Sequence, residues 1–310
     1  MKLLIEVPTW LGDAVMATPA IENIIKNFKN VEITIFGSYV STKLFENHTN
    51  VVGILIDNTK KSKNRYLEIY KLSKSLKDFD MAISFRSSFT SKLLFFLTGI
   101  KKRYNYNKIK EEKHQVLKYN DFINSIFKSD FAAGDLKIYS NIKKYDKPTL
   151  GINPGATYGS AKRWYPKEFA KVAIVLSSKY NIIIFGGPGE TDIAYDIEKE
   201  LQLKDITNYE NLAGKTTIPE LIESIAGLNF FITNDSGPMH VAAAFKIPTI
   251  SIFGPTKYTE TNQWNNPNEI IISKNLDCAP CMKRTCPLQH HDCMKLITSE
   301  DVLKKINKFN

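Results

Sequence analysis

Short, unalternated runs of Val, Ile, Leu and Phe recur along the whole chain, and they constrain the fold more than any other feature. In the first half they are KLLIEV (2–7), VEITIF (31–36), VGILI (52–56) and MAISF (81–85). In the second half they are TLGIN (149–153), NIIIFG (181–186), FFITN (230–234), TISIFG (249–254) and EIIIS (269–273). A strand with one wet face alternates apolar and polar residues. A strand buried on both faces does not, which is the condition of a parallel sheet covered by helices on both sides. Helical spacing fills the gaps, over Ala14 to Phe28 and Tyr66 to Leu76, then Pro166 to Lys179, Asp192 to Glu200, Ile218 to Ala226 and Met239 to Ala244. The pattern is a repeated βαβ alternation.

The expected fold class is therefore α/β, with two Rossmann-like doubly wound domains facing across a cleft. A length of 310 residues suits two domains. Their expected extents are 1–147 and 148–298, joined by the polar stretch from Asn141 that ends in Pro148. Residues 299–310 read as a helix expected to pack back on the first domain. Ligands of such sheets bind beyond the carboxyl ends of the strands.

The formal net charge is +10, and its placement is uneven. Residues 1–147 hold 25 basic and 15 acidic side chains, whereas residues 148–310 hold 17 of each. A one-sided positive field favours a polyanionic partner, whether nucleic acid, an anionic membrane surface or a phosphorylated glycolipid. The same excess in a Lys-rich composition also serves solubility. LLFFLTGI (93–100), followed by Lys101, Lys102 and Arg103, is too short to span a bilayer. It suits a buried helix end or a segment at a membrane interface. The first residues do not form a secretory signal, since Glu6 interrupts the apolar run, so a cytoplasmic location is expected.

Four segments carry the chemistry. In the first, PTWLGDAVM (8–16), Gly12 would allow a tight turn with unusual φ, and Asp13 stands at or near a helix N-terminus. An aspartate there is a favoured cap, and it also stands where a general base would face a ligand. The second, NPGATYGSAKRWYP (153–166), offers small residues and then adjacent Lys162 and Arg163, as a pyrophosphate site requires. The third, IFGGPGE (184–190), is a Gly-rich turn common in α/β proteins and is not the G-x-G-x-x-G fingerprint of dinucleotide enzymes. The fourth, TNDSGPMHVAAA (233–244), places Asp235, Ser236, Gly237 and His240 where backbone N–H groups and a helix dipole meet an anion. FGPT (253–256) adds a small polar lip.

Cys278, Cys281, Cys286 and Cys293, with His290 and His291, approach a metal-site spacing without the paired CxxC regularity of zinc ribbons. A Cys-rich loop packed near the active site is the favoured explanation of them. A basic, zinc-containing nucleic-acid-binding protein is the reading from a different class.

In order, PTWLGDAVM, NPGATYGSAKRW, NDSGPMHVAAA, FGPT and CAPCMKRTCPLQHHDCM resemble the ADP-heptose–lipopolysaccharide heptosyltransferases of glycosyltransferase family 9, most of all the type II enzymes, over nearly the whole chain. The resemblance implies a GT-B fold and an inverting, metal-independent transfer with no cofactor. Its donor would be ADP-heptose, and its acceptor the first heptose of a lipid A–Kdo–heptose inner core, with no nucleic acid. Heptosyltransferases I and III are the same-class alternatives. By similarity, Asp13 is the general base and Lys162 neutralises the departing diphosphate. Thr157, Arg163, Thr216, Asp235, Ser236, Gly237 and His240 contact the donor, and no residue binds metal. Gly12, Lys101, Lys102 and Arg103 are expected on the acceptor side, with peripheral attachment to the inner face of the inner membrane. The chain departs from the family pattern at Gln289, where Gly is frequent, and at Tyr165, inserted between Trp164 and Pro166.

Overall fold

The computed structural model describes residues 1–306. It divides into two compact units, the first ending at Tyr139 and the second beginning at Ser140. The first unit alternates β1 (Lys2–Glu6), α1 (Leu11–Met16), α2 (Thr18–Lys26), β2 (Glu32–Gly37), α3 (Tyr39–Thr42), β3 (Val51–Ile56), α4 (Arg65–Ser75), β4 (Met81–Ser84), α5 (Phe89–Thr98), β5 (Lys102–Asn105) and α6 (Gln115–Phe127). Its sheet has the order β3-β2-β1-β4-β5, every pairing parallel. Helices α4 and α5 pack together over one core of Leu4, Phe36, Ile69, Leu76, Ala82, Leu94 and Phe95.

The helix read from Ala14 to Phe28 is two helices. Pro19 has no N–H to give the carbonyl of Val15, and the Thr18 hydroxyl satisfies that carbonyl instead at 2.7 Å. Gly12 is a correction of the tight-turn expectation. It lies inside the first turn of α1, and among the described glycines only Gly99 and Gly214 lie in the left-handed region of φ.

The second unit runs β6 (Thr149–Asn153), α7 (Pro166–Leu176), β7 (Asn181–Ile184), α8 (Thr191–Gln202), β8 (Tyr209–Asn211), α9 (Ile218–Ala226), β9 (Phe230–Asn234), α10 (Gly237–Ala244), β10 (Thr249–Ile252), α11 (Tyr258–Thr261), β11 (Glu269–Ile272), α12 (Asp292–Lys295) and α13 (Ser299–Ile306). The strand order is β11-β10-β9-β6-β7-β8, again wholly parallel. Trp164 is fully buried in this core, edge-on to Phe169, with its indole N–H on the Ile297 carbonyl at 2.8 Å.

Two expected boundaries are corrected. The stretch after Tyr139 belongs to the second unit because it is tied to α9. The Lys143 amide donates to Glu223 O at 3.0 Å and the Tyr145 hydroxyl to Ser224 O at 3.0 Å. A Cβ on Gly227 would stand 1.9 Å from Lys143 O, so the approach itself requires glycine. Helix α13 packs on α7 and β11 of its own unit, with Val302 and Ile306 in that core and the Ser299 amide on the Glu168 carboxylate at 2.7 Å. The rest of that expectation, residues 307–310, lies outside the described residues. Among those described, no helix is long and apolar enough to cross a membrane.

Candidate functional site

In a doubly wound sheet the ligand crevice opens where neighbouring strands send their crossovers in opposite directions. In the second unit that point lies between β6 and β9. The loop after β6 carries Lys162 and the loop after β9 carries Asp235. Lys162 Nζ stands 2.5 Å from Asp235 Oδ2, and both side chains are largely buried. The Thr256 hydroxyl, from the loop after β10, donates to the same carboxylate oxygen at 2.6 Å. The three segments read separately in the sequence thus converge on one carboxylate. Lys162 also lies 4.7 Å from the Tyr158 ring, which carries Arg284 at 5.4 Å.

Asn234 holds the Lys162 loop from both ends. Its Nδ2 donates to Pro154 O at 2.7 Å and its Oδ1 accepts the Trp164 amide at 3.0 Å. Ser236 is the N-cap of α10, yet its side chain makes no capping bond. Its hydroxyl is shared between Asn153 Nδ2 and Thr233 Oγ1, each at 3.2 Å. Pro238 has no amide N–H and that of Met239 donates to Ser236 O at 3.2 Å, so the helix N-terminus offers an anion the Gly237 amide. Gly237 and Pro238 start that helix and His240 is buried in its first turn. Thr157 is exposed on the β6 loop, the Nε of Arg163 donates to Ala156 O at 3.4 Å, and Thr216 lies in the loop after β8.

Glu190 is a site residue that sequence reasoning missed. It is buried; Oε2 accepts the Gly187 amide at 2.8 Å, and Oε1 faces no donor from the protein. A Cβ on Gly155 would stand 2.0 Å from Oε2, so the β6 loop closes directly over the carboxylate. A buried acceptor without a donor suits a ligand hydroxyl. The available signal was the glutamate closing the Gly-rich turn.

The Cys-rich segment clasps this loop. The Ala161 amide donates to Arg284 O at 3.0 Å, and the Tyr158 hydroxyl to Met282 O at 2.9 Å. His291 Nε2 lies 2.9 Å from Ala161 O, so that nitrogen carries the proton. Its Nδ1 then accepts from the Tyr165 hydroxyl at 3.2 Å. A Cβ on Gly159 would meet Arg284 O at 2.3 Å, so the contact needs a glycine. The Met282 amide reaches Pro255 O at 2.8 Å, tying in the Thr256 loop. All four cysteines are free thiols lining one void of about 20 Å³. Burial, then the neighbouring thiols, pushes Cys293 up to about 11. Among the described residues no group of three or more His, Cys, Asp or Glu side chains is placed to hold a metal ion.

In the first unit the reversal lies between β1 and β4. Asp13 is the third residue of α1, in the loop-to-helix step after β1. It is not the cap, which is Trp10. Burial, and then the Asp13 charge, pushes the Tyr119 phenol well above its usual range, so that phenol stays protonated. From the loop after β4, Arg86 reaches Glu6 at 3.2 Å and Asp57 at 3.4 Å, and its Nη2 is buried with no partner. Burial outweighs the Arg86 charge and leaves the Glu6 carboxyl above its usual range.

The structure does not bring Lys101, Lys102 and Arg103 to Asp13. Strand β5 runs parallel to β4, with Lys102 opposite Met81 and Asn105 opposite Ser84. The basic triplet therefore sits at the amino edge of the sheet, whereas Asp13 stands beyond the carboxyl edge.

Residues 125–291 match glycosyltransferase family 9 (heptosyltransferase). The chain is 44% identical to the lipooligosaccharide heptosyltransferase 2 of Campylobacter jejuni serotype O:6, covering 100% of this chain and 99% of that protein. Its fold is similar to that of the Escherichia coli ADP-heptose LPS heptosyltransferase II, with TM-score 0.84 and 22% identity over 99% of this chain and 98% of that one. It is also similar to an E. coli heptosyltransferase solved with ADP-2-deoxy-2-fluoro heptose, with TM-score 0.75 and 16% identity over the full length of both chains.

Proposed function

The chain belongs to glycosyltransferase family 9 and is a heptosyltransferase, and we propose that it moves L-glycero-D-manno-heptose from ADP-heptose to the first heptose of a lipid A–Kdo–heptose inner core. One observation carries the site-level reading. Lys162, Asp235 and Thr256 meet at the strand-order reversal of the second sheet, beside a helix N-terminus whose cap side chain makes no bond to the helix amides. Family membership supersedes the reading as a nucleic-acid-binding protein.

An acceptor hydroxyl is a poor nucleophile at neutral pH. Asp13 takes its proton as it attacks the anomeric carbon, and inversion follows from that single displacement. Negative charge then grows on the departing ADP. Lys162 and the Gly237 amide at the start of α10 are fixed before that charge appears, which is the economical way to stabilise it. The ion pair with Asp235 sets the ammonium in place, and Thr256 holds the carboxylate. Arg163, Thr157, Thr216, Ser236, Gly237 and His240 line the donor, and Glu190 Oε1 accepts from a donor hydroxyl. No divalent metal takes part. The enzyme works in the cytoplasm at the inner face of the inner membrane.

The test is the product. Incubation of ADP-heptose with a heptose–Kdo–lipid A acceptor gives a product heavier by one heptose, with the anomeric configuration inverted. An unchanged acceptor, or retention, contradicts the proposal.

A further inference from the structure

We propose that the outer face of α4 and α5 is the surface with which this protein docks on an anionic lipid bilayer. Both helices sit on one side of the first sheet and bury Ile69, Leu76, Leu94 and Phe95 in a shared core, so their opposite faces look outward together. That outward side is only partly polar. Tyr66 is 60% exposed, Leu67 48% and Tyr70 47% on α4, and Phe89 is 68% and Phe96 64% exposed on α5. Exposed apolar side chains scattered singly need no explanation, but five on two adjoining helices do.

Cations interleave these side chains. Lys71 and Lys74 share the exposed side of α4, Lys92 lies between Phe89 and Phe96 in the sequence, and Lys101, Lys102 and Arg103 follow α5. Lys74 Nζ stands 4.4 Å from the Tyr70 ring, and the Arg103 guanidinium 5.4 Å from the Phe96 ring. Aromatic rings at headgroup depth with lysine and arginine beside them form the pattern of an interfacial surface, where rings enter the acyl boundary and cations meet lipid phosphates. A second copy of the chain fits less well, because two such faces would oppose like charges.

The inference builds on the proposed lipid-anchored acceptor. The N-termini of α4 and α5 follow β3 and β4, at the same carboxyl edge beyond which Asp13 stands. Their N-termini are also joined, with Arg65 Nη2 donating to the Thr90 hydroxyl at 3.1 Å. A bilayer held against this face leaves its anchored headgroups beside the edge that carries the base.

The test is co-sedimentation of the full chain with phosphatidylcholine vesicles, with and without phosphatidylglycerol. The wild type is expected to pellet only with the anionic vesicles. The double variant Phe89→Ser/Phe96→Ser is expected to lose roughly tenfold or more of that binding, because both rings leave the interface. Circular dichroism establishes that the variant is folded, and its turnover on a deacylated, water-soluble acceptor is expected to match the wild type. Wild type that stays in the supernatant, or a folded double variant that pellets equally, overturns the proposal. So does a concentration-dependent dimer abolished by the same substitutions without vesicle binding, which would make the face a self-association surface. Binding is read without turnover, so an inactive preparation that still binds phosphatidylglycerol refutes the proposed reaction and leaves the docking face standing.

Discussion

Lys162 Nζ and Asp235 Oδ2 stand 2.5 Å apart across the two loops that flank the strand-order reversal of the second sheet. Each neutralises the other where water barely reaches, so neither can be removed without stranding its partner. Lys162→Met is expected to lower turnover by roughly 10²- to 10³-fold through loss of charge stabilisation on the leaving ADP. Asp235→Asn is expected to lower it through a displaced ammonium. The double variant is expected to be little worse than the worse single one, since residues sharing one ion pair couple strongly. Strictly multiplicative losses would show that the two act independently.

His291 acts on the chemistry without touching it. Its ring joins Ala161 O to the Tyr165 hydroxyl, and Ala161 immediately precedes Lys162. His291→Ala is expected to lower kcat by roughly tenfold, as the loop bearing the ammonium loosens by a fraction of an ångström. Tyr165→Phe keeps the ring and loses one hydrogen bond, so a smaller loss is expected. Steady-state kinetics on both variants, with thermal melts to confirm folding, separates this from simple destabilisation. An unchanged kcat in His291→Ala would contradict the positioning role.

Gln289 carries a left-handed backbone, φ +62°. A residue with a Cβ is strained there, and glycine is not. This is the position where the resembling family often has glycine. Gln289→Gly is expected to stabilise the protein by about 0.5–1 kcal/mol, net of the greater freedom glycine gives the unfolded chain. A rise of a degree or more in Tm would show it, and a fall would contradict it.

Glu269 predicts a pH dependence of stability. Burial raises its carboxyl from 4.5 to about 7, although the Gln263 amide donates to it at 2.8 Å. Between those values the folded protein holds a proton that the unfolded chain has released. Stability from this group is therefore present below about 4.5, falls as pH rises through about 7, and stays lost above. Glu269→Gln keeps an acceptor for the amide and removes the titration. The variant should match the wild type in melts at pH 4 and exceed it at pH 8. Equal melting temperatures at both would show that the carboxyl titrates normally.

Strands β6 and β9 and helix α9 were legible to the residue. Each is a strongly patterned apolar segment, and α9 opens with a Thr217–Glu220 capping box. Strands β5 and β8 were not. Both are short edge strands, KRYN and YEN, whose largely polar residues form no apolar run. The basic triplet was legible as charge but not as a place, because only the parallel register of β5 fixes the sheet edge it occupies. Lys162 and Asp235 were each visible from their loops, whereas their contact depends on strand order. Arg86 and the His291 clasp depend on contacts between segments far apart in sequence, which no local pattern encodes, and the Gly-rich turn marks Glu190 without revealing that Gly155 closes over it.

The central claim is a base-assisted, metal-independent transfer, and ADP release from ADP-heptose in EDTA tests it most directly. Wild type is expected to release ADP only when the heptose–Kdo–lipid A acceptor is present, at a rate that EDTA leaves unchanged. Asp13→Asn is expected to bind ADP as the wild type does and to lose roughly 10²- to 10⁴-fold in turnover. No acceptor-dependent release, release abolished by EDTA, or full activity in Asp13→Asn would contradict the account.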